Sequence, residues 1–172
     1  MLEKIDALEQ YGRRNCLIIH GLPEADNDRE NTDELACNFI QDNLKITVTT
    51  SDIDRSHRLN TRRKSSKPRP IIVKFLSYNK RNEIFRAKRR LKGIKGIAVT
   101  ESLTTTRLQL LKQVKDHGNV KNAWTMDGRV LCTLHDDPDE RKILVERAKN
   151  LCKLSTSSTP RYPRRVKSTQ KP

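Results

Sequence analysis

Arg62, Arg63, Lys64, Lys67 and Arg69 place five cations within residues 60–69, with no acid among them. Cations of that type and spacing suit the grip of phosphates. An arginine fork grips phosphate oxygens bidentately, while a lysine acts as a compact point charge. A charged loop is often only a solvated loop, but this one continues on both sides. Arg55 and Arg58 precede it, Lys74 lies in the apolar run after it, and Arg81, Arg86, Lys88, Arg89, Arg90 and Lys92 follow in a helical pattern. Such a cluster repels itself, and neutralising phosphates relieve the repulsion while releasing counterions.

Other residues could do different chemistry, and each has a plainer reading. The acidic group Asp136, Asp137, Asp139 and Glu140 has the composition of a two-metal nuclease site. It reads better as a helix start, with Asp137 as cap, Pro138 in the first helical position and Glu140 closing a capping box. Cys132 and His135 are spaced like two metal ligands but have no second pair. His57, between Ser56 and Arg58, has no partner for base catalysis, and no serine or cysteine sits in a nucleophile's setting. The single Trp124 reads first as core, with a stacking surface beside Lys121 and Arg129 as the alternative. No active site, metal site or cofactor is expected.

The placement of charge says more than its total of +15. Residues 1–54 hold 5 basic and 12 acidic side chains, residues 55–95 hold 16 and 1, residues 96–154 hold 10 and 8, and residues 155–172 hold 5 and none. One 41-residue segment thus carries a surplus equal to that of the whole chain, which points to a polyanionic partner. Apolar residues make up only 34%, so the core is small and much of the chain stays solvated. Four scattered cysteines without a CxxC pair suit a reducing compartment. No apolar run approaches the ~20 residues of a membrane span, and none resembles a secretion signal. A soluble intracellular protein is expected.

The elements that must position these residues follow from periodicity. Residues 1–12 form a short helix, with Met1, Ile5 and Leu8 at coiled-coil spacing. "CLIIH" is a strand closed by Gly-Leu-Pro, and Asn31 caps a helix with Leu35, Phe39, Ile40 and Leu44 on one face. "SDIDRSHRL" is a second strand with thin apolar content, and "PIIVKF" a third. Ser77 caps the helix "YNKRNEIFRAKRRLK", stopped by Gly93, with Ile84, Ala87, Lys88 and Leu91 on one side, and "GIAVTE" is the fourth strand. Strand, helix, strand, strand, helix, strand is the split βαβ order, which covers one sheet face with helices and leaves the other open. A second unit follows. It has a helix with Leu108, Leu111 and Val114 at spacings of three, a hairpin turning at Asp127-Gly128, and a last helix over 136–154. The fold class is therefore α+β: a βαββαβ RNA-recognition-motif-like domain, then a small helix–hairpin–helix domain.

Alternation places Ile71, Val73 and Phe75 on the core face of the third strand. The open face then carries Ile18, His20, Ile72 and Lys74, without the Phe, Tyr or Trp on which such sheets commonly stack bases. Binding should rest mainly on charge, with the loop at 60–69 closing over a strand lying between the two domains.

The stretches "RRNCLIIHGLPE", "ENTDELACNFI", "DIDRSHRL", "KPRPIIVKFLSYNKRNEI", "AVTESLTTTRLQLL" and "AWTMDGRVLCTL" together resemble the first open reading frame protein of LINE-type non-LTR retrotransposons. The likeness is to the invertebrate form, which is also similar to baculovirus FP proteins, and it covers roughly residues 1–150. It implies the end of a trimerising coiled coil at 1–12, a divergent RNA-recognition motif at 13–100, a nucleic-acid-binding domain at 101–154 and a disordered basic tail at 155–172. Against the family pattern, the coiled coil is a stub. Matched position by position, it implies nucleic-acid contacts at Arg13, Arg14, Lys74, Arg86, Lys112 and Arg129. The charge reading adds Arg55, Arg58, Arg62, Arg63, Lys64, Lys67, Arg69, Arg89 and Lys121. The expected function is non-enzymatic coating of retrotransposon RNA with nucleic-acid chaperone activity, in a cytoplasmic ribonucleoprotein with the nucleus as a second location. The expected partners are single-stranded RNA and DNA and two further copies of the chain, but no membrane. The alternative is an FP-like structural protein whose basic surface serves assembly with protein partners.

Overall fold

The computed structural model describes residues 2–24, 30–60 and 67–155. Arg62, Arg63 and Lys64, the closing role expected of their loop, and the tail from 156 onward lie outside the described residues. The described residues are α+β, with four helices and two antiparallel sheets, in two compact units, Met1–Leu103 and Thr104–Pro172.

In the first unit α1 (Leu2–Gly12) leads into β1 (Cys16–His20), followed by α2 (Thr32–Leu44), β2 (Ile53–Arg58), β3 (Ile71–Phe75), α3 (Tyr78–Ala87) and β4 (Ala98–Glu101). The strands lie in the order β2-β3-β1-β4, all neighbours antiparallel. Alternation sends Leu17, Ile19, Ile71, Val73, Phe75 and Val99 to one face. There they pack with Ala36, Phe39, Ile40 and Leu44 of α2 and Ile84 and Phe85 of α3. Asn31 caps α2 by accepting from the amides of Asp33 and Glu34, both at 3.2 Å. Ser77 caps α3 by accepting from the amide of Lys80. α3 tightens into a 3-10 turn, Lys88–Leu91, whose Leu91 closes the core. Gly21, at φ 86, lets the chain leave β1 against the loop before β4, where a Cβ would stand 2.0 Å from the Gly96 carbonyl oxygen. Gln10 anchors α1 by donating from Nε2 to the Ser102 carbonyl at 2.9 Å. Ile5, Leu8 and Tyr11 of that helix are exposed.

The second unit holds α4 (Thr105–Lys115) and the sheet β5-β6-β7, formed by Val120–Met126, Arg129–Leu134 and Ile143–Val145. Asp127 (φ 53) and Gly128 (φ 70) make the two-residue turn between β5 and β6, the pair of left-handed positions that their types favour. α4 packs through Leu110 and Val114, with Leu111 partly buried against the same cluster, while Leu108 is 52% exposed. One expectation is corrected here. The last helix does not form. Asp137 does accept from the amides of Asp139 and Arg141, as a cap would, but Glu140 turns into the left-handed region at φ 46. Ile143 and Val145 then alternate inward as β7, paired with Cys132 and Val130. A 3-10 helix, Ala148–Ser155, follows. Among the described residues the second unit is thus one α-helix, a three-stranded sheet and a closing 3-10 helix, not helix–hairpin–helix.

Candidate nucleic-acid interface

Because α2 and α3 cover one face of the four-stranded sheet, the pairing register fixes what the other face presents. Ile72 of β3 stands opposite Ile18 of β1 and His57 of β2, and Ile18 stands opposite Thr100 of β4. A row His57–Ile72–Ile18–Thr100 therefore crosses all four strands. Beside it, Lys74 pairs with Arg55 on one side and Cys16 on the other. His20 pairs with Ala98. Ile18 and Ile72 are half-buried, and Arg55, His57 and Thr100 are exposed. The result is an aliphatic strip between two imidazoles, with two cations at one end.

Reading the sequence found Ile18, His20, Ile72 and Lys74 on this face but missed His57 and Thr100. The cause for His57 is a bulge in β2. The register shifts between Ile53, which is buried opposite Phe75, and Arg55, which lies opposite Lys74. Counting by twos from Ile53 puts His57 inside; the extra residue, Asp54, turns it outward. Imidazoles are among the groups on which bases stack, so the face is less bare than alternation alone suggests.

Electrostatics separates the candidate cations into engaged and available ones. Lys74 Nζ meets Asp54 Oδ2 at 2.6 Å, and that hydrogen-bonded ammonium holds the Asp54 carboxyl below its usual range. Arg69 donates from its backbone amide and from Nε to Glu24, which lowers that carboxyl too. Arg13 pairs with Glu9 at 2.7 Å, and Lys121 with Glu140 at 2.5 Å. Arg58 is buried in protein contacts. Its guanidinium donates to both oxygens of Glu30 and to the carbonyls of Leu22, Pro23 and Arg69, and its side chain is 6% exposed. Glu30 raises its pKa, and it ties the end of β2 to the entry of α2. Its place in the fold is that of a clamp within the protein.

Arg14 lies exposed with its guanidinium 4.1 Å from the Tyr11 ring centre. Lys67 is exposed at the edge of the described residues. Arg55, Arg86, Arg89, Lys112 and Arg129 are exposed and make no ion pair among the described residues. Arg55 is on the open sheet face, Arg86 and Arg89 are on the helix side of the same unit, and Lys112 and Arg129 belong to the second unit. Arg81, counted among the basic helix positions, is 2% exposed and pairs with buried Glu101 at 2.6 Å.

Two pH-sensitive groups border the open face. Burial lowers the pKa of His20, whose Nε2 lies 2.9 Å from Thr100 Oγ1. Burial raises the Cys16 thiol, against the opposing pull of Lys74 and Arg13. In the second unit Cys132 sits in the apolar cluster, its thiol pushed up to about 11 by burial, and His135 is exposed. Among the described residues no group of three or more His, Cys, Asp or Glu could hold a metal ion, and no helix is long and apolar enough to cross a membrane. Trp124 is half-buried opposite Leu131. No protein-family model matches the chain, and no curated protein matches it.

Proposed function

We propose that this chain binds single-stranded nucleic acid, RNA foremost, without catalysing a reaction. On this reading the first unit works as a divergent RNA-recognition motif and the second adds further basic contacts. The chain then serves as an RNA-coating protein with chaperone activity, of the kind the LINE-type resemblance implies. The observation that carries the proposal is the open sheet face. It sets half-buried Ile18 and Ile72 between His20 and His57, with Arg55 and Lys74 alongside. A solvated sheet face with no partner has little use for an aliphatic strip, whereas a bound strand can lay bases against it and stack them on the imidazoles of His20 and His57 while the cations hold its phosphates. The element order and the strand order β2-β3-β1-β4 support the same reading, since they are those of a split βαβ sheet. Exposed Ile5, Leu8 and Tyr11 on α1 support self-association through that helix, and the expected copy number is three.

The test is a titration of fluorescent single-stranded RNA against duplex DNA of equal length, from low to moderate salt. RNA should bind tighter, with log K falling linearly against log salt. Changing Arg55 and Lys74 together to Ala should flatten that slope by ~1.4, about 0.7 for each single-strand phosphate that is no longer neutralised. Equal affinity for both ligands with an unchanged slope rejects the open face as the interface.

A further inference from the structure

The helix side of the first unit carries a second cationic surface, opposite the open face. Lys45 and Ile46, just past the end of α2, face Glu83, Arg86, Ala87, Arg89 and Arg90 of α3 and its 3-10 extension across a shallow cleft of about 310 Å³. Four of these seven lining residues are cations, drawn from two separate elements. The α2 C-terminus accounts for two of them. Arg90 Nη1 donates to the Leu44 carbonyl, and Lys45 caps the helix at φ 51, where exposed carbonyls attract positive charge. It does not account for Arg86 and Arg89, which are exposed and make no ion pair among the described residues. The one acid in the cleft, Glu83, lies 3.5 Å from Lys80. Lys88, between the two arginines in sequence, turns away onto the Phe85 ring at 3.7 Å. Its absence leaves the cleft to guanidinium groups and Lys45.

We infer that this cleft is a second nucleic-acid site, holding the sugar-phosphate backbone of a strand other than the one on the sheet. The inference rests on the reading of the chain as a nucleic-acid binder. Arg86 and Arg89, with Lys45 and Arg90 beside them in a cleft also lined by Ile46 and Ala87, suit phosphate oxygens, which arginine forks hold bidentately. The site has no aromatic to stack a base, so it grips backbone regardless of sequence. One chain with a strand on each face brings two strands close together. That arrangement gives an annealing protein a physical means of raising the local concentration of one strand about the other.

The experiment uses the full chain, an unstructured oligouridine of about ten nucleotides, and the variant Arg86→Gln/Arg89→Gln. Native mass spectrometry at low salt counts oligonucleotides per chain, and a stopped-flow assay follows annealing of two complementary labelled RNAs. The wild-type chain should take two oligonucleotides and the variant one, with annealing slowed at least ~10-fold and the salt slope reduced by ~1.4. Both arginines are exposed, and an unchanged melting curve will show that the variant folds. Two oligonucleotides on the variant, or one on the wild type, overturns the second site while leaving the proposed function standing. No oligonucleotide on either chain overturns the proposed function itself. If polyglutamate at matched charge displaces only the second oligonucleotide, the cleft is a site for an acidic protein and the inference fails.

Discussion

Arg81 of α3 and Glu101 of β4 form an ion pair inside the first unit, with Nη2 donating to Oε1 at 2.6 Å and side chains only 2% and 1% exposed. The Arg81 guanidinium also lies 4.9 Å from the Phe85 ring centre. A buried pair of this kind binds two elements together, and each charge depends on the other for its solvation. Changing Glu101 to Gln should therefore destabilise the unit by ~3–5 kcal/mol in urea unfolding, because it leaves a guanidinium uncompensated. Changing Arg81 to Met and Glu101 to Leu together should cost far less than either single change. A strictly additive double variant rejects the coupling.

Gly21 tests the close approach that ends β1. An alanine there would put its Cβ 2.0 Å from a backbone oxygen of Gly96, at a φ of 86 that side chains avoid. Gly21→Ala should lower stability by more than ~2 kcal/mol. Gly12, at the end of α1, has nothing within 4 Å of its Cβ position. Gly12→Ala should be neutral or stabilising by up to ~1 kcal/mol. Equal denaturation midpoints for the two variants contradict the geometry at Gly21.

These relationships mark what the sequence could and could not tell. Regular alternation in Leu17–His20 and Ile71–Phe75 made the core face and the open face of the central strands readable, because nothing interrupts the period. β2 was harder to phase, since the bulge at Asp54 is invisible in a pattern with one apolar residue. The Asp-Pro-Asp-Glu group imitates a helix start and does gather backbone amides, yet the β-branched residues of Ile143–Val145 join the sheet. Tertiary pairing there outweighed the local cap signal. The division of arginines was also unreadable. Arg58 meets Glu30 at a separation of 28 residues and Arg81 meets Glu101 at 20, distances at which only the fold decides who pairs.

His20 makes stability depend on pH in a definite direction. Burial depresses its pKa in the folded chain below the ordinary 6.5, so between the two values the unfolded chain binds more protons. Stability then rises with pH across that window. It should be fully present above about 6.5, fall as pH drops through that value, and stop falling from this cause once pH is below the folded pKa. His20→Gln keeps a polar partner for Thr100 but cannot titrate. Denaturation midpoints measured at a series of pH values should converge for the two proteins at low pH relative to their separation at pH 8. Parallel curves would mean that His20 does not contribute.

Asp54 and Lys74 set up the sharpest test of the open face. Lys74 reaches the row of Ile72 and His57 only from within an exposed ion pair with Asp54, so a phosphate arriving there must compete with a carboxylate. Exposed pairs are weak and easily exchanged. Removing the carboxylate should therefore leave the fold unchanged and favour the ligand. Asp54→Asn should tighten single-stranded RNA binding a few-fold at low salt, with the gain shrinking as salt screens both interactions. Lys74→Ala should weaken it, and adding Asp54→Asn to Lys74→Ala should recover little, since the competitor then has no cation to release. A gain from Asp54→Asn that persists undiminished without Lys74 would assign the effect to general charge reduction. Phosphates would then not be bound at Lys74, and the open face would lose its cationic end.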